Sequence, residues 1–163
     1  MVITPGSHLL DLPDHGVKTK HGEQGAQVFD PVRKRWVALT PEEWVRQHVL
    51  DYLIIDLGSP VGLVGVEAPL TLNGMSKRAD IVVFGEGGSP MALVECKAPK
   101  VSIGQRTFEQ AARYNSVFRV RYLMVTNGSK HYCCSVDHQR NVVEFIPRLP
   151  TYAEMKVGSR TYL

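Results

Sequence analysis

The chain has 163 residues, 44% hydrophobic and 21% charged, with a formal net charge of +3. That length suits one domain with a substantial core, and that composition suits a soluble globular protein. No apolar run approaches the ~20 residues of a membrane span, and the opening Met1-Val2-Ile3-Thr4-Pro5-Gly6 is too short and broken for a signal peptide. Three cysteines, two of them adjacent at Cys133-Cys134, offer neither a disulfide framework nor paired zinc spacing. A reducing, cytoplasmic setting and no membrane partner are expected. The mild basicity is compatible with nucleic acid without arguing for it. Its clusters (Arg33-Lys34-Arg35, Lys77-Arg78, and Arg113, Arg119 and Arg121) read singly as ordinary solvated surface.

Residues 1–39 read as an N-terminal arm. The first 26 show no sustained period, and Gln27 to Phe29 with Arg35 to Leu39 fit a small hairpin. Thr40-Pro41-Glu42-Glu43 then opens a helix, with Thr40 as N-cap, Pro41 in the first turn and Glu43 as the reciprocal partner of a capping box. The period carries it to about Ile55, with Trp44, Val45, His48, Val49, Tyr52 and Leu53 on the buried face. Leu63 to Leu72 fits a strand, with a turn at Asn73-Gly74.

Residues 78 to 97, RADIVVFGEGGSPMALVECK, place the apolar runs Ile81–Phe84 and Met91–Val94 around a Gly/Pro-rich loop, which predicts a β-hairpin. A symmetric loop sets Asp80 opposite Glu95 and Arg78 opposite Lys97. Side-chain alternation puts Glu95 and Lys97 on one face and Cys96 on the other. Two carboxylates facing each other across a sheet repel. Removing either is expected to leave the fold intact or more stable, and a divalent cation is the simplest offset to the repulsion. Both faces of the hairpin are apolar, so helices should cover both, leaving the charged set at one end of a buried sheet.

Gln105 to Phe118 fits a second helix, in which Gln110 and Tyr114 lie one turn apart on one face. Arg121–Thr126 and His131–Val136 read as strands around an Asn127-Gly128 turn. Asn141–Ile146 reads as an edge strand, and the tail 147–163 is weakly patterned.

The ordered set Glu43-Trp44-Val45-Arg46-Gln47, Asp80, Glu95-Cys96-Lys97-Ala98-Pro99, Gln110-Ala111-Ala112-Arg113-Tyr114-Asn115 and Thr126-Asn127-Gly128 resembles the N-terminal nuclease domain of the type I restriction enzyme R (HsdR) subunit. That domain belongs to the PD-(D/E)XK nuclease superfamily. Here Ala79 stands where the superfamily name has proline. The resemblance covers roughly Thr40 to Ser135. It implies a restriction-endonuclease-like α/β core over residues 40–146, with a mixed central sheet of about five strands flanked by helices. It also implies a Mg²⁺-dependent DNA endonuclease, with Mn²⁺ able to substitute. On that resemblance Asp80, Glu95 and the backbone carbonyl of Cys96 hold the metal, and Lys97 orients or activates the attacking water. Gln110 and Tyr114 position the substrate, and Arg78 holds a phosphate. Glu43 has two readings of equal weight: a member of the acidic cluster, or a helix cap only. The other functional reading is a non-catalytic nucleic-acid-binding or assembly module that retains the fold. No G-x-x-x-x-G-K-[ST] loop occurs in the sequence. The expected partner is DNA, the chain being either a free-standing nuclease domain or a module that works with a separate helicase, translocase or DNA-specificity subunit, and a homodimer is compatible with the resemblance.

Overall fold

A computed structural model gives the fold and describes residues 10–160. The expected small hairpin is a three-stranded antiparallel sheet, β1 (Thr19–Gly22), β2 (Gly25–Asp30) and β3 (Arg35–Ala38). The first of these strands lies in the stretch expected to be irregular, and residues 1–9 of that stretch are outside the described residues. Helix α1 (Pro41–Asp51) starts at Thr40, whose hydroxyl accepts the Glu43 backbone N–H at 3.0 Å, and it continues as a π-helical turn over Tyr52–Asp56.

The main sheet has six strands rather than about five: β4 (Val64–Leu72), β5 (Met75–Phe84), β6 (Pro90–Cys96), β7 (Tyr122–Thr126), β8 (His131–Asp137) and β9 (Val142–Ile146), in that spatial order. Among the described residues, only β6 and β7 run parallel in this sheet. A parallel neighbour cannot be reached through a tight turn, and helix α2 (Gln105–Phe118) supplies the crossover. Ile81 pairs with Val94, Val82 with Leu93 and Val83 with Ala92, which is the register of a symmetric hairpin, before a bulge at Val83/Phe84.

Both faces of the β5–β6 hairpin are covered, as a hairpin apolar on both sides requires. On one side Val45, Val49 and Leu53 pack against Ile81, Val83, Val94 and Cys96. On the other, Tyr114 packs with Val82, Leu93, Val120 and Leu123. The weakly patterned tail forms helix α3 (Tyr152–Arg160), and Leu149 and Met155 are fully buried in the first of these cores. Among the described residues no helix is long and apolar enough to cross a membrane.

One irregularity positions the chemistry. Along β4 and β5, Val64, Val66, Ile81 and Val83 belong to the α1-side core, whereas Ala68, Leu70 and Ala79 belong to the α2-side core. Strict alternation would keep 79 with 81 and 66 with 68. The strands change faces between those pairs, where Glu67 takes a left-handed φ of 52°. Asp80 sits at that twist, where β5 parts from β6.

Candidate active site

Asp80 is at the end of the β5–β6 ladder, and its carboxylate takes over where main-chain pairing stops. Its Oδ2 accepts the Cys96 backbone N–H at 2.7 Å, and its Oδ1 accepts Arg46 Nη2 at 3.0 Å. Glu95 is 2% exposed, with Oε1 3.5 Å from the Asp80 backbone nitrogen. Burial first, and the Asp80 charge second, push its carboxyl up to about 9. The structure thus brings the two acids together as the hairpin register implied.

Lys97 does not lie opposite Arg78. The recorded β5–β6 pairs end at Ile81–Val94, and the Lys97 backbone N–H goes instead to the Thr126 carbonyl of β7 at 2.8 Å. Its Nζ donates to Gln110 Oε1 at 3.2 Å, and Gln110 Nε2 donates to the Tyr114 hydroxyl at 3.3 Å. Tyr114 is buried, and its hydroxyl is linked to the site through Gln110 and Lys97. Arg78 is a largely exposed side chain 3.6 Å from Glu67.

Glu43 departs from the capping box. Its backbone N–H bonds Thr40 as expected, but its carboxylate turns inward to Arg33 Nη2 at 2.6 Å, Arg46 Nη1 at 2.7 Å and Gln47 Nε2 at 3.0 Å. Those partners hold it one guanidinium away from Asp80. The helical period did not single out Arg46 and Gln47, polar side chains on the buried side of α1, nor Asp30, fully buried at the end of β2. Burial alone would raise the Asp30 carboxyl. Hydrogen bonds from the Arg33 backbone, Gln47 and the Arg33 side chain outweigh it and hold the carboxyl below its usual range.

Arg46 is the centre of this network. It lies 3.0 Å from Asp80, 2.7 Å from Glu43, 3.7 Å from Glu42 and 4.0 Å from Glu67. Glu42 is the less restrained acid of the first turn. Burial, then the nearby Asp80 charge, raise its carboxyl, and Lys97 acts in the opposite direction. The only signal for it in the sequence is its place beside Glu43 in a first turn that packs over a sheet end.

The donor chemistry suits a hard divalent ion in one respect and limits it in another. Besides the protonated Glu95, five carboxyl groups (Asp30, Glu42, Glu43, Glu67, Asp80) face the guanidinium groups of Arg33, Arg46 and Arg78 and the Lys97 ammonium, so the charges nearly balance. The carboxyl oxygens are nevertheless the hard donors that oxygen-seeking cations prefer. Among the described residues, however, no three His, Cys, Asp or Glu side chains are grouped closely enough to form a ready-made metal cage. The two strand carboxylates and the main chain at Cys96 are the donors on offer. A cleft of about 570 Å³, lined by Arg119, Arg121, His138 and Lys156, is at the opposite end of the sheet.

Residues 41–150 match the family model described as type I restriction enzyme R protein N terminus. The chain belongs to that family. Among solved structures, this R-protein N-terminal chain is similar to a fragment described as an HsdR subunit of a type I restriction enzyme from Vibrio vulnificus YJ016. The two are 21% identical with a TM-score of 0.54, and the match covers 77% of this chain but 27% of that one. The likeness shows a shared fold, and this chain spans about a quarter of that one. No curated protein matches it.

Within this family member, the chain from Tyr114 through Gln110 to Lys97 carries its own prediction. Tyr114→Phe keeps the buried ring and removes a hydroxyl that accepts one hydrogen bond, at a stability cost of about 0.5–1.5 kcal/mol. Gln110→Ala frees the Lys97 ammonium at a partly exposed position and should cost no more. If Lys97 acts on the attacking water, each should lower cleavage by about tenfold or more, beyond any loss of folded protein. A loss of activity that merely tracks the unfolded fraction in urea titrations would rule that out.

Proposed function

We propose that the chain is the nuclease module of a type I restriction system, hydrolysing DNA phosphodiester bonds in a metal-dependent reaction. The observation that carries this reading is the pairing of Asp80 with a buried, proton-retaining Glu95 at an open sheet end, with Lys97 held beside them by Gln110. Asp80, Glu95 and the Cys96 carbonyl would hold Mg²⁺ or Mn²⁺. A bound divalent ion there would polarise a phosphate oxygen and lower the pKa of a coordinated water. The protein's own part is positional: Arg46 and the Cys96 N–H fix the Asp80 carboxylate, and Lys97 presents an ammonium where charge develops on the phosphate. Glu42, less tightly held than Glu43, is the acid of α1 free to join them. Arg78, exposed at the rim, is placed to meet a backbone phosphate.

DNA is the proposed substrate, and a motor or specificity subunit the proposed partner. With a net charge of +3, the domain alone should hold DNA weakly and lose it as salt rises. Tethering by a partner would raise the local substrate concentration.

The test is plasmid nicking at low salt with Mg²⁺, Mn²⁺ or EDTA. Wild type should nick slowly with either metal and not in EDTA. Asp80→Asn and Glu95→Gln, both close in shape to the originals, should each lower the rate at least about 100-fold, the order lost when a charged group at such a site is neutralised. One observation favours the alternative of a non-catalytic module. Both Asp80 oxygens are already engaged, by Arg46 and by Cys96. Metal-independent DNA binding without nicking, unchanged in both variants, would establish that alternative.

A further inference from the structure

Helix α2 covers β6 and β7 but leaves part of the same sheet face open over β8 and β9. There Phe108, Tyr132 and Phe145 form an aromatic group. Phe108 stands edge-to-face with Tyr132 at 5.6 Å and with Phe145 at 5.9 Å. Phe145 is 70% exposed and Tyr132 37%. Core-type side chains left this open mark a binding surface more often than idle surface.

The register places this group relative to the acids. Glu95 pairs with Val125, and Val125 pairs with Tyr132, so the three lie side by side on one row. With strands about 4.8 Å apart, the Tyr132 backbone is about 10 Å from that of Glu95. The Tyr132 contact with Phe108 and the Lys97 contact with Gln110 both involve α2, so the aromatic group and the acids share the α2 side of the sheet. Its rim is basic. Asn127 Nδ2 donates to the Val101 carbonyl at 2.9 Å, tying the loop after β6 to the turn after β7. Lys100 and Lys130, both exposed, stand in those two segments. Neither forms an ion pair among the described residues.

We propose that Phe145 and Tyr132 form a stacking platform for unpaired bases beside the scissile phosphate, so that the substrate is single-stranded or locally opened DNA. This rests on the nuclease reading and deepens it. Base-paired DNA stacks its bases on one another and offers none to an exposed ring, whereas an unpaired strand presents a flat apolar face to each ring and phosphates to Lys97, Lys100 and Lys130. A second copy of the chain fits less well. Antiparallel pairing centred on the β9 edge would set Glu144 against its own copy, and like charges directly opposite destabilise a strand pair.

The test measures binding without chemistry. Fluorescence anisotropy, in EDTA at low salt, compares labelled oligothymidylate with a backbone of abasic residues of equal length. The full chain should bind oligothymidylate more tightly than the abasic strand. Phe145→Ala, at an exposed position that should leave the thermal midpoint unchanged, should weaken oligothymidylate binding by about 5- to 150-fold, the range for one lost base–aromatic stack. It should leave the abasic strand unaffected, and Phe145→Trp should restore binding. Equal affinity for the two strands, no effect of Phe145→Ala, or no measurable oligothymidylate binding would each overturn the proposal. A Phe145→Ala change confined to sedimentation of a dimer would instead assign the patch to a second copy. Stacking without any metal-dependent nicking would remove the nuclease reading and leave this surface standing.

Discussion

Arg46→Ala should destabilise the domain by about 3–5 kcal/mol, the loss expected when one partner of a buried ion pair is removed. Arg46 is 5% exposed and joins two acids that are themselves largely buried, Asp80 at 3.0 Å and Glu43 at 2.7 Å. Removing it leaves their negative charges close together with little water to solvate them. Arg46→Lys should recover only part of the loss, because one ammonium cannot bridge two carboxylates as a planar fork does. Urea titration at neutral pH measures both, and a loss below about 1 kcal/mol for the alanine variant would show that the network contributes little. The same geometry corrects the expectation that loss of either strand acid is harmless. With Glu95 protonated there is no repulsion for Asp80→Ala to relieve, and the change strands Arg46 and the Cys96 N–H, so it should destabilise. Glu95→Gln keeps the shape and should not.

Much of the scaffold is legible locally. Thr40 and Pro41 mark the start of α1 because capping is decided within one turn. The β5–β6 register follows from a loop flanked by equal apolar runs, and the Asp80–Glu95 encounter follows from that register. The resemblance led further, to Gln110 and Lys97, which the structure joins by a hydrogen bond. What escaped is non-local. Glu43 looks like a capping residue because Thr40 lies three positions before it, yet its carboxylate is drawn to Arg33, which a turn in another sheet delivers. Arg46 and Gln47 break the apolar stripe of α1, and only the acids beneath them explain why. The parting of β5 from β6, which removes Arg78 from Lys97, falls beside a left-handed residue at Glu67 on a neighbouring strand, which no local pattern marks. Helix α3 is short, and its described apolar residues are split between the buried Tyr152 and Met155 and the exposed Ala153 and Val157, too little to set a period.

Without metal, the domain should lose stability steadily as pH rises from about 5 to 9, because Glu95 holds a proton that the unfolded chain releases. Unfolded, the carboxyl titrates near its ordinary value of 4.5, and in the fold burial and Asp80 push it up to about 9. Between those values the folded state binds one proton more than the unfolded state. The slope of unfolding free energy is then negative, up to about 1.4 kcal/mol per pH unit from this group. The contribution is fully present below about pH 4.5 and gone once pH passes the folded value. Asp30 works oppositely. Its carboxyl is held below the usual range, so the stability it contributes is lost only as pH falls through that lowered value. The two together put the stability maximum of the metal-free domain on the mildly acidic side. Urea titrations in EDTA across pH 4 to 9 measure the slope, and Glu95→Gln should flatten it and exceed wild type at pH 8. A divalent ion at Asp80 and Glu95 needs the deprotonated carboxylate, so its apparent affinity should rise with pH and its binding should release a proton. Calorimetry of Mn²⁺ binding in buffers of different ionisation enthalpy reads that proton directly. A flat or rising stability profile for wild type would mean that Glu95 is ionised in the fold, balanced by Lys97 and Arg46 rather than by its own proton.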